Sequence, residues 1–379
     1  MRFTRDGSAA LEGHLAHACA LVLAGVRVII PEDVLEGLLL GGGYGRGEGG
    51  VLRTEHGEQP YNDVEFYVFV RGNPRLNERR YGRELQKLAE QLAPEAGIEI
   101  EFKILSLEKL ARSPVTMHYY DLVTGHHQLW GRRPLVADFE HLHMGSRIPL
   151  SEATRLLMNR FTGLLFAKER LQRPTFTAED ADFVGRNLAK ARLAFGDAVL
   201  TVYGQYNWSC CVRRQRLHQL IPDEPLPWLE DVKAHHEAGV GFKLHPRRTM
   251  ISHAALEQQL AELTALAVKV WLWLESGRLG VLFHSAYDYA SSPEDKCPET
   301  SRWRNWVINL RFSGAEGILD PTRFHYPREH LLNALALLLW ERVERGNGVL
   351  HCVQRELHTT RTDYPGLVCT YGATWRRFN

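Results

Sequence analysis

Cysteine is scarce in this sequence, and none of it is spaced for binding. The 379 residues hold six (Cys19, Cys210, Cys211, Cys297, Cys352, Cys369), with no C-x-x-C among them. The adjacent Cys210-Cys211 pair suits neither a disulfide framework nor a zinc site, so a reduced, cytoplasmic protein is the expectation. An excess of one charge is also missing. The 46 Lys+Arg stand against 45 Asp+Glu, so no global basic field draws the chain to nucleic acid. The longest apolar run near the N-terminus, Cys19 to Ile30, includes Arg27 and is too short to span a bilayer. Glu12, His14 and His17 precede it, which makes a poor signal peptide, and no membrane partner is expected. G-K-[ST], H-E-x-x-H and G-x-S-x-G are all absent, which removes the P-loop, the zincin helix and the hydrolase elbow. The 18 histidines, His126-His127 and His235-His236 among them, show no metal-ligand spacing on one helix face.

What is present is ordinary globular material, 44% hydrophobic and 24% charged, enough for two domains. Residues 1–148 alternate strand-like and helix-like runs, and residues 149–379 read as helices, with a subdivision near 222–228 where Pro222–Pro227 looks like a linker. The first part holds a helix over Ala9–Ala24 and, over Val34–Leu40, a short helix end or buried strand feeding a glycine cluster. A strand follows over Tyr61–Val70, stopped by Gly72-Asn73-Pro74. Leu85, Leu88 and Leu92 mark a helix ending before Pro94, and Ile98–Leu105 alternates apolar and charged residues as a strand with one wet face does. Tyr120–Gly125 reads as a strand and turn. In the second part, Ser151 is the expected N-cap of a helix carrying Leu157, Phe161, Leu164 and Leu165. Further helices are expected over Ala178–Tyr203, through Leu256–Leu274 and over Glu329–Arg345. The nine tryptophans are read as core packing. The fold class is therefore α+β, a small mixed sheet with helices followed by a mostly helical domain.

Three features of the first part suit one chemistry. Leu38–Leu40 breaks into Gly41-Gly42-Gly43-Tyr44-Gly45-Arg46-Gly47, and glycines without Cβ let backbone N–H groups surround a phosphate while Arg46 adds a forked donor. Gly45–Gly50 even satisfies G-x-G-x-x-G. No helix-like sequence follows, because Arg53–Pro60 reads as a polar loop, so the dinucleotide match is rejected. Next, Asp63 and Glu65 share one face of a strand whose other face carries Val64, Phe66, Val68 and Val70. Their mutual repulsion is relieved by a divalent cation, and oxygen-only ligands favour Mg²⁺ or Mn²⁺. Finally, Glu99 and Glu101 lie on the polar face of a neighbouring strand, which Lys103 continues, and either could complete a three-acid cluster.

In this order the elements resemble the DNA polymerase β-type nucleotidyltransferase superfamily, in which a glycine turn precedes an h-D-h-[DE]-h strand and a third acid lies on a later strand. The likeness covers roughly residues 30–130. It pairs Gly42-Gly43 with the glycine turn, Asp63 and Glu65 with the acidic strand, and Glu101, or Glu99, with the third acid. The sequence departs from the pattern in three ways. Gly43 or Tyr44 stands where serine is frequent, nineteen residues separate Gly43 from Asp63, and the third acid is Glu rather than Asp. The resemblance implies a Mg²⁺- or Mn²⁺-dependent transfer of NMP from an NTP such as ATP to a hydroxyl acceptor, releasing pyrophosphate. It assigns two ions to Asp63, Glu65 and Glu101 and the phosphates to Gly42, Gly43, Tyr44 and Arg46. The helical part is similar to the accessory domain of such enzymes, where Lys190 would reach the triphosphate. A small-molecule or protein acceptor is favoured over a polynucleotide. Two further readings stand beside this one. The first is an inactive nucleotide-binding regulator or toxin–antitoxin component on the same fold. The second is an RNA-directed transferase using the paired arginines at 79–80, 132–133, 213–214, 247–248 and 376–377.

Overall fold

Leu11, Leu15, Cys19, Val22 and Val26 recur every three or four residues, the spacing that gives a helix one apolar stripe. In the computed structural model, which describes residues 2–249, 251–313, 323–344 and 348–378, they line the buried side of α1 (Ala9–Ile29). Ser8 caps this helix by accepting from the Leu11 N–H. α1 meets the length and composition of a membrane span, longer than the run read from the sequence. Its stripe nevertheless lies in the core beside the sheet.

The sheet has the order β5-β4-β1-β6, built from β1 (Leu35–Leu40), β4 (Asp63–Val70), β5 (Glu99–Leu105) and β6 (His127–Gly131). β1 is antiparallel to β4 and β6, while β4 and β5 run parallel, joined by α3 (Pro74–Ala96). Asn73 caps α3, and Gly97 ends it at a φ of 64°. The helix runs two residues past Pro94 rather than stopping before it, since proline's fixed φ is helical and only one N–H is lost. Leu38, Leu40, Val64, Phe66, Val68 and Val70 face α1 and α3. On the opposite face Leu39, Tyr67 and Phe69 pack with Leu110 of α4 (Leu107–Ala111), Leu122 and Val123 of α5 (Met117–Thr124), and Leu135. The face of β4 that carries the acids is thus apolar farther along the strand.

Two local expectations are corrected. The polar stretch after the glycines is a hairpin, β2 (Gly50–Thr54) with β3 (Gly57–Tyr61), turned by Gly57 at a φ of 113° and braced by Arg53 donating to Glu58 at 3.3 Å. A polar sequence forms strands there because pairing satisfies its backbone without apolar cover. Tyr120–Thr124 is helical, in α5, since Thr116 accepts from the Tyr119 N–H and starts a helix the alternation had hidden.

The chain divides into two compact units, Met1–Glu152 with Val199–Asp223 and His236–Arg247, and Ala153–Ala198 with Glu224–His235 and Arg248–Asn379. Among the described residues, helices follow from there on: α6 (Leu150–Leu171, starting one residue before Ser151), α7 (Ala178–Val202), α8 (Cys210–Gln219), α9 (Leu229–Leu244), α10 (His253–Leu279), α11 (Ala286–Ser291), α12 (Arg302–Ser313), α13 (Arg328–Trp340), α14 (Gly348–Glu356) and α15 (Tyr364–Phe378). α13 ends at Trp340, and the expected terminus Arg345 lies outside the described residues. The second unit's core gathers Trp271 with Phe161, Tyr289 and Trp340, ring centroids 5.7–6.0 Å away. Trp303, read as core, is 74% exposed on α12.

Candidate functional site

The site begins where β1 ends. The Gly41 N–H donates to the Glu65 carbonyl at 2.9 Å, so the chain leaves the sheet beside the acidic strand. It then makes one helical turn, α2 (Gly42–Gly45), entered through Gly42 at a φ of 60°, a conformation that favours glycine. A Cβ on Gly42 would sit 3.4 Å from Glu65 Cδ, so the turn and the carboxylate are in direct contact.

Parallel pairing sets Asp63 opposite Glu99 and Glu65 opposite Glu101. Asp63, Glu65 and Glu101 each offer a carboxylate oxygen within 4.8 Å of the others, a group that does not include Glu99. The donors are all oxygen, which suits a hard divalent cation rather than zinc. Glu65 Oε2 accepts the Tyr67 hydroxyl at 2.6 Å and the Lys103 ammonium at 3.2 Å, whereas Oε1 lies on the Gly42 side and takes no hydrogen bond among the described residues. Lys103 Nζ is also 3.1 Å from Glu101 Oε2 and 5.4 Å from the Tyr67 ring centroid. Burial works to raise the pKa of Glu65, but the Tyr67 hydroxyl, Lys103 and His118 outweigh it and hold the carboxyl below its usual value. For Lys103 burial acts downward, and Glu65 and Glu101 more than reverse it, so the ammonium stays charged.

The remaining candidates sit as follows. Tyr44 is buried, and its hydroxyl bridges the hairpin, donating to the Gly50 carbonyl at 2.9 Å and accepting from the Tyr61 N–H at 2.7 Å. Its hydroxyl therefore pins the glycine turn to the hairpin. Arg46 pairs with Asp121 at 3.0 Å, and Asp121 also accepts the Tyr206 hydroxyl at 3.3 Å. Gly43 backs onto the Glu48 carbonyl. Lys190 is exposed on α7, in the second unit.

Sequence reasoning missed several neighbours of the turn. Glu48 is 3% exposed, and its N–H donates to the Gly43 carbonyl. Its carboxylate receives the Ser209 hydroxyl and the N–H groups of Cys210 at 2.9 Å and Cys211 at 3.4 Å, at the start of α8. Burial pushes the Glu48 pKa up, but these donors and Lys243 overcome it, leaving the acid ionised. Glu48, Cys210 and Cys211 could also converge on a metal. The carboxylate is already committed to capping the helix, which assigns the group to structure. Only the serine before Cys210, an N-cap residue, hinted at it in the sequence. Tyr67 and Lys103 were legible only as later members of the acid-bearing faces.

No protein-family model matches the chain, and no curated protein matches it. Among solved structures, the chain is similar to the spectinomycin adenyltransferase AAD(9) from Enterococcus faecialis, crystallised with ATP and spectinomycin. The identity is 13% and the TM-score 0.36, over 66% of this chain and 98% of that one. A likeness at that distance fixes no activity.

Proposed function

We propose that the first unit is a nucleotidyl-transfer site that moves NMP from an NTP, ATP among them, to a hydroxyl of a small molecule or protein. The convergence of Asp63, Glu65 and Glu101 from paired strands, at the exit of a glycine turn that touches Glu65, carries this reading. Asp63 and the open Oε1 of Glu65 would hold a Mg²⁺ or Mn²⁺ ion. When bound, that ion offsets charge on the α-phosphate and favours ionisation of the attacking hydroxyl. Gly42 and Gly43, having no side chains, leave room for phosphate oxygens to approach the backbone. Arg46, oriented by Asp121, adds a positive charge next to the turn. Glu101, the most exposed of the three acids, would face the acceptor. In the reaction the acceptor oxygen bonds to the α-phosphorus, the bond from that phosphorus to the oxygen bridging to the β-phosphate breaks, the hydroxyl proton passes to water and pyrophosphate leaves.

The pairing of Lys103 with two of the three acids favours a second reading, an NTP-binding protein without turnover. One experiment separates the two. The full chain is incubated with each α-labelled NTP and Mg²⁺ or Mn²⁺ in the presence of candidate hydroxyl acceptors, and pyrophosphate is measured. Release that Asp63→Asn abolishes supports transfer. Release at the wild-type rate from Asp63→Asn removes the site, and saturable NTP binding without release supports the second reading.

A further inference from the structure

Resting on the nucleotidyl-transfer reading, we propose that the Lys103 ammonium permanently fills one cation position of the carboxylate cluster, so that the protein binds a single divalent ion where three acids would accommodate two. A bridging cation between Glu65 and Glu101 must lie within bonding reach of an oxygen from each, and Lys103 Nζ is already there, 3.2 Å from Glu65 Oε2 and 3.1 Å from Glu101 Oε2. A divalent ion in the same gap would meet an ammonium at contact distance, with like charges in a half-buried setting.

The lysine is held by construction. It is paired with Tyr67 in the β4–β5 register and stands two residues after Glu101, so its side chain leaves β5 on the face that carries Glu101. Its ammonium lies over the Tyr67 ring, and the Tyr67 hydroxyl donates to the same Glu65 oxygen. Glu65 is thereby divided in two. Oε2 is taken by Tyr67 and Lys103, and Oε1 is left on the Gly42 side for one metal. Charge agrees with this division, since three carboxylates and one ammonium leave a net charge that a single divalent ion neutralises.

The test counts metal rather than turnover. Mn²⁺ retained by the full chain is measured by equilibrium dialysis and electron paramagnetic resonance, alone and with a non-hydrolysable α,β-methylene ATP analogue, after subtracting Mn²⁺ bound to free analogue. The expected result is one Mn²⁺ per chain for the wild type and for Lys103→Arg, and two for Lys103→Ala. Two ions on the wild type overturn the proposal, and that count needs no variant to fold. One ion on both wild type and folded Lys103→Ala overturns it equally. No Mn²⁺ on any of the proteins removes the metal-dependent reading itself, an outcome distinct from a wrong count.

Discussion

The two units use buried acid in opposite ways. In the helical unit Glu275 is fully buried on α10, and both its oxygens are taken. Thr154 at 2.6 Å and Arg278 at 3.0 Å hold Oε1, and Arg278 at 2.6 Å and Tyr289 at 3.0 Å hold Oε2. Glu356 is as complete, receiving His330 and Asn333 on one oxygen and Arg355 on the other. In the sheet unit Glu65 has one oxygen satisfied and one open, and Glu101 is half exposed. A carboxylate with every lone-pair direction occupied fastens helices together. One with spare acceptor capacity, beside two more acids and a glycine turn, is arranged to receive something else. Burial alone does not separate the two cases, whereas the number of uncommitted oxygens does.

The strongest attempt to break this contrast is Asp63→Asn. If the sheet acids serve chemistry, the change lowers pyrophosphate release at least a thousandfold, about 4 kcal/mol of barrier, while the thermal unfolding profile stays where it was. A folded variant with undiminished release would make the sheet acids as structural as the helical ones. The mirror experiment is Glu275→Ala, which takes the carboxylate from the buried Arg278 guanidinium and leaves it the Lys296 carbonyl. It should cost about 3 kcal/mol of stability in a urea titration and leave NTP binding unchanged wherever the protein is folded. A neutral result there would show that the buried pair is dispensable.

How much of this contrast was legible beforehand depended on the range of the interaction. Asp63 and Glu65 could be read because a period-two alternation with Val64, Phe66 and Val68 displays a strand's two faces in eight consecutive letters. The third acid stayed open between Glu99 and Glu101 because register between strands is set by pairing across α3, which local sequence does not encode. The inward turn of Tyr44 and the Arg46–Asp121 pair depend on segments 17 and 75 residues away. Glu48 was invisible for the same reason. Its partners Ser209 and Cys210 are 161 and 162 residues distant, so an acid set among the glycines of Gly45–Gly50 is a buried helix cap. The hairpin after the glycines was missed because β2 and β3 are held by backbone pairing and short-range ion pairs, with little apolar alternation to announce them.

Glu48 sharpens the comparison from within the sheet unit, since it is an acid of the helical kind located next to the site. Glu48→Ala should lower stability by about 2 kcal/mol through loss of the α8 cap, read as a shifted urea midpoint. It should also weaken NTP affinity, because the Glu48 N–H and carbonyl adjoin Gly43. If NTP binding is untouched while stability falls, the cap and the glycine turn are independent.

The smallest effect comes from pH, at a buried acid–histidine pair of the helical unit, Glu329 with His325 at 2.8 Å. The hydrogen bond to Glu329 raises the His325 pKa above 6.5, against the opposing effect of burial. A raised pKa means the folded state binds the proton more tightly than the unfolded one. The contribution is therefore fully present below pH 6.5 and fades as pH climbs through the raised value. Wild type should accordingly exceed His325→Gln by about 1 kcal/mol, near 2 °C in Tm, at pH 6, and the gap should close in alkaline buffer. Glu356 works with the reverse sign. Its pKa is lowered because His330 and Arg355 outweigh its burial, so its contribution holds above pH 4.5 and drains away as pH falls through the depressed value. A His325→Gln gap that persisted unchanged from pH 6 to pH 9 would mean that packing, not the proton, ties His325 to Glu329.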